Sequence, residues 1–227
     1  MKLLALDTAA NFCSVAVLDV ETASVLSESS QDIGKGHAER LMAAIEQVLS
    51  DAMLSITDIG KIAVSIGPGS FTGVRVGVST ARGFALALGC EAVGISTLQA
   101  LAYDAQKSFP GRQVLSIIDA RRDELYAQFF GKDGSAASDP MVTSLQALLP
   151  RLEDIAGEYV LSGSGAALIN ESLCQPLDIA TTAATASIEA FARLGAVLVG
   201  EAPRPLYLRG LDVKPQQGFV LKRKAEE

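Results

Sequence analysis

The sequence predicts an α/β protein built from two related lobes, and three observations carry that prediction. Through the first half, short apolar alternations give way to helical apolar stripes and back again, the pattern of strands interleaved with helices. A strand, an aspartate, a short turn and a second strand occupy residues 3–19 as LLALDTAANFCSVAVLD and return at 114–131 as VLSIIDARRDELYAQFFG. Asp7 and Asp119 match in that overlay, and they lie about half of the 227-residue chain apart. Finally, three strands precede the first helix in the first half.

The elements of the first lobe follow from local pattern. Strands are expected at 3–7, 12–18 and 23–29, where Cys13, Val15 and Val17 alternate with smaller or polar residues. A helix over 37–53 carries Leu41, Ile45, Val48 and Ala52 on one stripe and Met42, Leu49 and Met53 on a second. That apolar face is wide for a helix covering one side of a sheet, so it is either deeply buried or turned toward a partner. A strand at 61–66, a helix at 72–88, a strand at 91–95 and a helix at 97–106 complete the lobe. The second lobe is expected to hold strands at 114–118, 124–131 and 158–162, and helices at 144–149 and 185–199. Between them come a polar loop at 131–140 and a glycine-rich turn at 163–165. The lobe boundary is placed between residues 108 and 109, with a mobile tail from Lys214.

The segment GPGSFTGVRVGVSTARGFALALG, residues 67–89, is the strongest single feature. Gly67, Pro68 and Gly69 turn the chain out of a strand, and Ser70 or Thr72 caps the helix that follows. Gly73, Gly77 and Ala81 then recur every four residues on one face. Three interior glycines, Gly73, Gly77 and Gly83, cost about 3 kcal/mol of helix propensity. Close approach of another backbone must return that loss. The stripe is assigned to a partner helix, with Leu41, Ile45, Val48, Gly73, Val76, Gly77 and Ala81 as the contact residues. The competing reading is that the stripe only lets the helix lie close to its own sheet.

Several chemistries are disfavoured by composition. At 49% hydrophobic and 20% charged residues the chain has ample core, and its net charge of −7 argues against a general nucleic-acid surface. Cys13, Cys90 and Cys174 are isolated and form no CxxC pair, so a disulfide framework or zinc site is not expected and a reducing cytoplasm fits. Asp7 interrupts the first apolar run too early for a signal peptide, and no membrane span is expected. Arg75 stands where a P-loop would need lysine, and Pro68 and Thr72 stand where a nucleophile elbow around Ser70 would need glycines. The single histidine, His37, gives no paired metal spacing, so no metal site is assigned. Asp7 and Asp119 at strand ends, with Gly163 and Gly165 in the later turn, are candidates for a vestigial nucleotide site between the lobes. No cofactor is required, and nucleotide binding is expected to be weak. Between Lys61 and Thr97 the only acid is Glu91, so the first lobe's central loop offers no general base for phosphoryl transfer.

The duplicated layout resembles the actin, Hsp70 and sugar-kinase superfamily, which implies two related βββαβα lobes facing a cleft. More specifically, GPGSFTGVRVG, DARRDELY at 119–126, PRPLYLR at 203–209 and LLALDTA at 3–9 resemble the motifs of the bacterial TsaB (YeaZ) family of tRNA-modification proteins. The resemblance spreads over nearly the whole chain. It implies a non-catalytic partner subunit that pairs with TsaD through the helices at 37–53 and 72–88, or with a second copy through the same helices. It further implies that the ATPase TsaE joins the pair, and that tRNA is met only through the complex. The product would be N6-threonylcarbamoyladenosine beside the anticodon of tRNAs reading codons that begin with adenine. In the catalytic paralogue TsaD the helix after the equivalent strand carries a metal-binding His-x-x-x-His motif, whereas Thr97 and Leu101 stand at those places here. The rival reading is an ATP-dependent small-molecule kinase of the same fold.

Overall fold

The computed structural model describes residues 1–153, 158–200 and 202–209, so the expectation of a mobile tail from Lys214 lies outside the described residues. Five strands form a first mixed sheet: β1 (Lys2–Asp7), β2 (Phe12–Asp19), β3 (Ser24–Asp32), β4 (Ile59–Gly67) and β5 (Glu91–Ser96), in the order β3-β2-β1-β4-β5. β1 pairs antiparallel with β2 and parallel with β4, and β4 pairs parallel with β5. The second sheet holds β6 (Gln113–Arg121), β7 (Glu124–Phe130), β8 (Met141–Ser144), β9 (Tyr159–Ser162) and β10 (Asp178–Thr181), in the order β10-β9-β6-β7-β8. Counted within each lobe, both orders are third, second, first, fourth, fifth. The internal repeat is therefore a repeat of topology as well as of sequence.

The helices are α1 (His37–Asp51), α2 (Phe71–Leu88), α3 (Thr97–Ser108), α4 (Leu145–Glu153), α5 (Ala166–Ser172) and α6 (Ile188–Val197). Strand alternation sorts the core into layers, because successive side chains leave opposite faces of a sheet. Leu4 and Leu6 of β1 join Val15, Ile62 and Val64 under α1 and α2. Leu3 and Ala5 leave the other face and pack with Ala63, Ile95 and, from α6, Ile188 and Phe191. In the second sheet Leu115 and Ile117 face Leu148, Leu152 and Ile169 of α4 and α5. Val114, Ile118 and Phe130 face Leu98, Leu101 and Ala105 of α3. Both faces of each sheet are covered, which is why β1, β4 and β6 read as nearly continuous apolar runs.

This layering corrects the division at residues 108 and 109. The last helix of each half packs on the other half's sheet: α3 lies against β6 and β9, and α6 against β1, β2 and β4. The segment 202–209 also returns to the first lobe, where the Leu206 N–H donates to the Ile66 carbonyl at 2.8 Å. Two four-residue strands, β8 and β10, and the seven-residue helix α5 were not expected from sequence. Each is too short to complete a recognisable period.

Candidate functional site

Helix α2 divides its two sides sharply. Ser70 is the N-cap, its Oγ accepting from the Gly73 N–H at 3.2 Å. Its own N–H donates to the Ala9 carbonyl at 2.7 Å. Gly73 lies so close to the end of β1 that a Cβ there would stand 2.0 Å from the Thr8 carbonyl oxygen. The Thr8 hydroxyl donates to the Gly73 carbonyl at 2.7 Å, and a Cβ on Gly77 would stand 2.6 Å from Thr8 Oγ1. The glycines let α2 sit on its own sheet, and the propensity they cost is recovered inside the chain.

The contact residues expected from sequence need correction accordingly. Leu41, Ile45 and Val48 are buried beneath α1, and Gly73, Gly77 and Ala81 beneath α2, all within the chain's own core. Val76 alone of that set is half-buried. The outward rows are different residues. Ala38 and Met42 share one face of α1, since they are four positions apart. Phe71, Arg75 and Ser79 form the facing row on α2, and with Ala38 and Val76 they line a shallow groove between the two helices. Met42 is 45% exposed and Phe71 50% exposed.

Three sequence motifs converge at one end of this groove. The Arg75 Nε donates to the Tyr207 hydroxyl at 2.7 Å, and its guanidinium lies 3.6 Å above the Phe71 ring. The Phe71 and Tyr207 rings are 5.7 Å apart. Two residues on, Arg209 donates to the Arg121 carbonyl at 3.0 Å and forms an ion pair with Glu124. Its guanidinium stands 5.7 Å from the Tyr126 ring. The motifs GPGSFTGVR, DARRDELY and PRPLYLR thus form one connected set of contacts, which no periodicity in the sequence could have indicated because the three segments are about 50 to 135 residues apart.

Of the proposed nucleotide residues, Asp119 and the turn holding Gly163 and Gly165 are brought together, the Asp119 N–H donating to Ser164 Oγ at 3.0 Å, whereas Asp7 is closed off. Asp7 is fully buried: its Oδ2 accepts from the Thr185 hydroxyl at 2.7 Å and its Oδ1 from the Ala9 N–H at 2.9 Å. Burial pushes the Asp7 carboxyl above its ordinary range, against the opposing pull of hydrogen bonds from Ser65, Thr185 and Ala9 and of nearby His37. Asp119, its counterpart, is exposed and accepts from the Arg121 N–H at 2.7 Å, stabilising its own turn. Gly163 and Gly165 serve packing, since Cβ atoms on them would stand 2.2 Å from the Ile117 carbonyl oxygen and 2.6 Å from Ile117 Cγ2. His37 is buried at the start of α1, its Nε2 within hydrogen-bond distance, 3.2 Å, of the Phe12 carbonyl. Burial also raises the Cys13 thiol, which leaves it a poor nucleophile. Among the described residues no group of three or more His, Cys, Asp and Glu side chains could hold a metal ion. No helix among them is long and apolar enough to cross a membrane.

Topology and layering define a two-lobed protein of the actin, Hsp70 and sugar-kinase class. The model of the family described as TsaD, tRNA N6-adenosine threonylcarbamoyltransferase, matches residues 25–212. The tRNA threonylcarbamoyladenosine biosynthesis protein TsaB of Escherichia coli is 33% identical over 169 residues, 73% of this chain and 72% of that protein. The Haemophilus influenzae protein of the same description is 36% identical over 126 residues, 56% of this chain and 52% of that protein. A crystal structure from Pseudomonas aeruginosa, described as similar to peptidase YEAZ, superposes with a TM-score of 0.78 at 28% identity, covering 92% of this chain and 99% of that one. The chain belongs to the TsaB (YeaZ) family.

Proposed function

We propose that this chain is a non-catalytic partner subunit in the synthesis of N6-threonylcarbamoyladenosine on tRNA. It docks a TsaD-family protein on the outer face of α1 and α2, and a TsaE-family ATPase joins the pair. The observation that carries the reading is the groove between Ala38 on one side and Phe71, Arg75 and Val76 on the other, with exposed Met42 on the same row of α1 as Ala38. It presents apolar surface on a helix pair whose opposite faces are already consumed by the chain's own core. Aromatic and arginine side chains around a partly apolar centre suit a protein interface. A second copy of this chain could use the same face in the partner's absence.

The chemistry of the cleft agrees with that role. A phosphotransferase needs a carboxylate free to hold metal or deprotonate an acceptor; Asp7 is buried under Thr185, and Asp119, though exposed, accepts from the Arg121 N–H of its own turn. The name carried by the Escherichia coli relative supports the pathway. With a net charge of −7, the lone chain should hold tRNA weakly at physiological salt. Affinity purification from the native cell, with retained proteins identified by mass spectrometry, tests the reading: a TsaD-family protein should be recovered. Threonylcarbamoyl transfer by the repurified chain alone would overturn it.

A further inference from the structure

We propose that residues 202–209 form a latch that transmits occupancy of the α1–α2 face to the turn between β6 and β7. The coupling to a partner rests on the docking face proposed above; the latch itself does not.

The receiving element is the turn Arg121-Arg122-Asp123, three consecutive non-glycine residues with φ of 61°, 58° and 61°. Arg122 and Asp123 are the two-residue loop between the paired Arg121 and Glu124, where a primed hairpin turn takes positive φ at both positions; Arg121, left-handed as well, is the residue that contacts from beyond the turn must hold. Those contacts come from two sides. Asp119 accepts from the Arg121 N–H, and Arg209 donates to the Arg121 carbonyl while pairing with Glu124 immediately beyond the turn. Arg209 therefore holds both flanks of the turn from another part of the chain.

Arg209 is itself placed from the first lobe. The Leu206 N–H is fixed on the Ile66 carbonyl at the end of β4, and Tyr207 is fixed on Arg75 and Phe71. Phe71 and Arg75 line the groove, so a partner seated there touches the residues that hold Tyr207. A partner that binds more tightly to one arrangement of Phe71, Arg75 and Tyr207 shifts that arrangement, and Arg209 moves with the segment. The turn is the element with two states: clamped and left-handed, or released and relaxed. The latch joins the C-terminal ends of β4 and β6, the strand ends at which open α/β folds ordinarily place their ligands.

Hydrogen exchange read by mass spectrometry on the full chain tests the latch without any partner. Arg209→Ala removes the clamp directly, and Tyr207→Ala removes the anchor two residues before it. Each should speed exchange in peptides covering 119–126 by about tenfold while leaving the β1 and β4 core peptides unchanged. Acceleration by Arg209→Ala but not by Tyr207→Ala would overturn transmission, and acceleration by neither would overturn the latch. Arg209→Lys, which keeps the charge but loses the fork, should fall between wild type and alanine. Adding a TsaD-family protein should then protect α1–α2 and alter 119–126 in wild type, and only the former in Arg209→Ala. If the hairpin responds equally in both proteins, the coupling is wrong. If α1–α2 gains no protection, the docking face is wrong, and the isolated-chain comparison still decides the latch.

Discussion

The Thr185 hydroxyl donates to the Asp7 carboxylate at 2.7 Å across 178 residues of sequence, tying the loop before α6 to the end of β1. A carboxylate in that position is costly to ionise, because it is fully buried and its neighbours only partly replace water. The bond is a tie, while burial, which it only partly offsets, makes Asp7 a source of pH dependence.

Asp7 has a folded-state pKa above its unfolded value, so the folded state holds its proton more tightly. Its contribution to stability is greatest below the unfolded pKa and declines as pH rises through the folded one. Asp19, Asp58 and Glu189 shift the opposite way, so the informative quantity is the difference between variant and wild type. In Asp7→Asn that difference should favour the variant progressively from about pH 4 upward. Asp7→Ala, which leaves the Ala9 N–H and Thr185 unpaired, should cost about 1–3 kcal/mol at neutral pH. Thermal unfolding from pH 4 to 8 measures both, and a pH-independent difference for Asp7→Asn would contradict the assignment.

Glycines of α2 should respond in opposite directions. Gly83 faces open space, so Gly83→Ala should stabilise the chain by about 0.5–1 kcal/mol. Gly73→Ala drives a methyl group into the Thr8 carbonyl and should destabilise by about 1–3 kcal/mol despite the better helix former. Gly77→Leu should unfold the protein rather than merely detach a partner. Denaturant titration of the three variants checks the order.

Sequence pattern reached the first lobe almost completely, because eight of its elements are long enough to show a period. Helix α1 was expected to start at His37, as it does, and α2 within one residue of Phe71. The second lobe was less legible where α4 contains Pro150 and where β8 and β10 have no fully buried residue and no clean alternation. For the site, the small-residue stripe announced close packing but not its partner: Gly73 against Thr8 looks the same in sequence as Gly73 against another subunit. Residues on the outward rows, such as Ala38 and Phe71, carry no periodic signal of their own. They became visible only once the buried side of each helix was known.

Ala38→Arg and Met42→Glu place charge and bulk on the outward rows without touching the core. Each should leave the unfolding midpoint nearly unchanged, within about 0.5 kcal/mol. Each should weaken binding to a TsaD-family protein by about 100-fold if the groove is central to the interface. Calorimetric titration against that partner measures the loss, and retained affinity in both variants would move the interface elsewhere.

Lys61 is buried on β4, donating to the Leu198 carbonyl at 2.5 Å and lying 3.4 Å from Glu91. Lys61→Met should cost about 1–3 kcal/mol, since it strips the Leu198 carbonyl, just past α6, of its side-chain donor. Glu91→Gln should cost less than about 1 kcal/mol, because that carboxylate is solvent-accessible. Equal losses would show that the ion pair, not the carbonyl contact, is what Lys61 supplies.

The placement of α6 on the first sheet sets a timetable for synthesis. Leu3, Ala5, Leu18 and Ile95 emerge from the ribosome early, but the helix that covers them ends only at Val197. Until nearly the whole chain is made, the nascent first half carries an uncovered apolar sheet face, the kind of surface that chaperones bind and that aggregates. Closure over β1 thus waits for translation of α6, and a product stalled before α6 should be cleared rather than accumulate as a folded half.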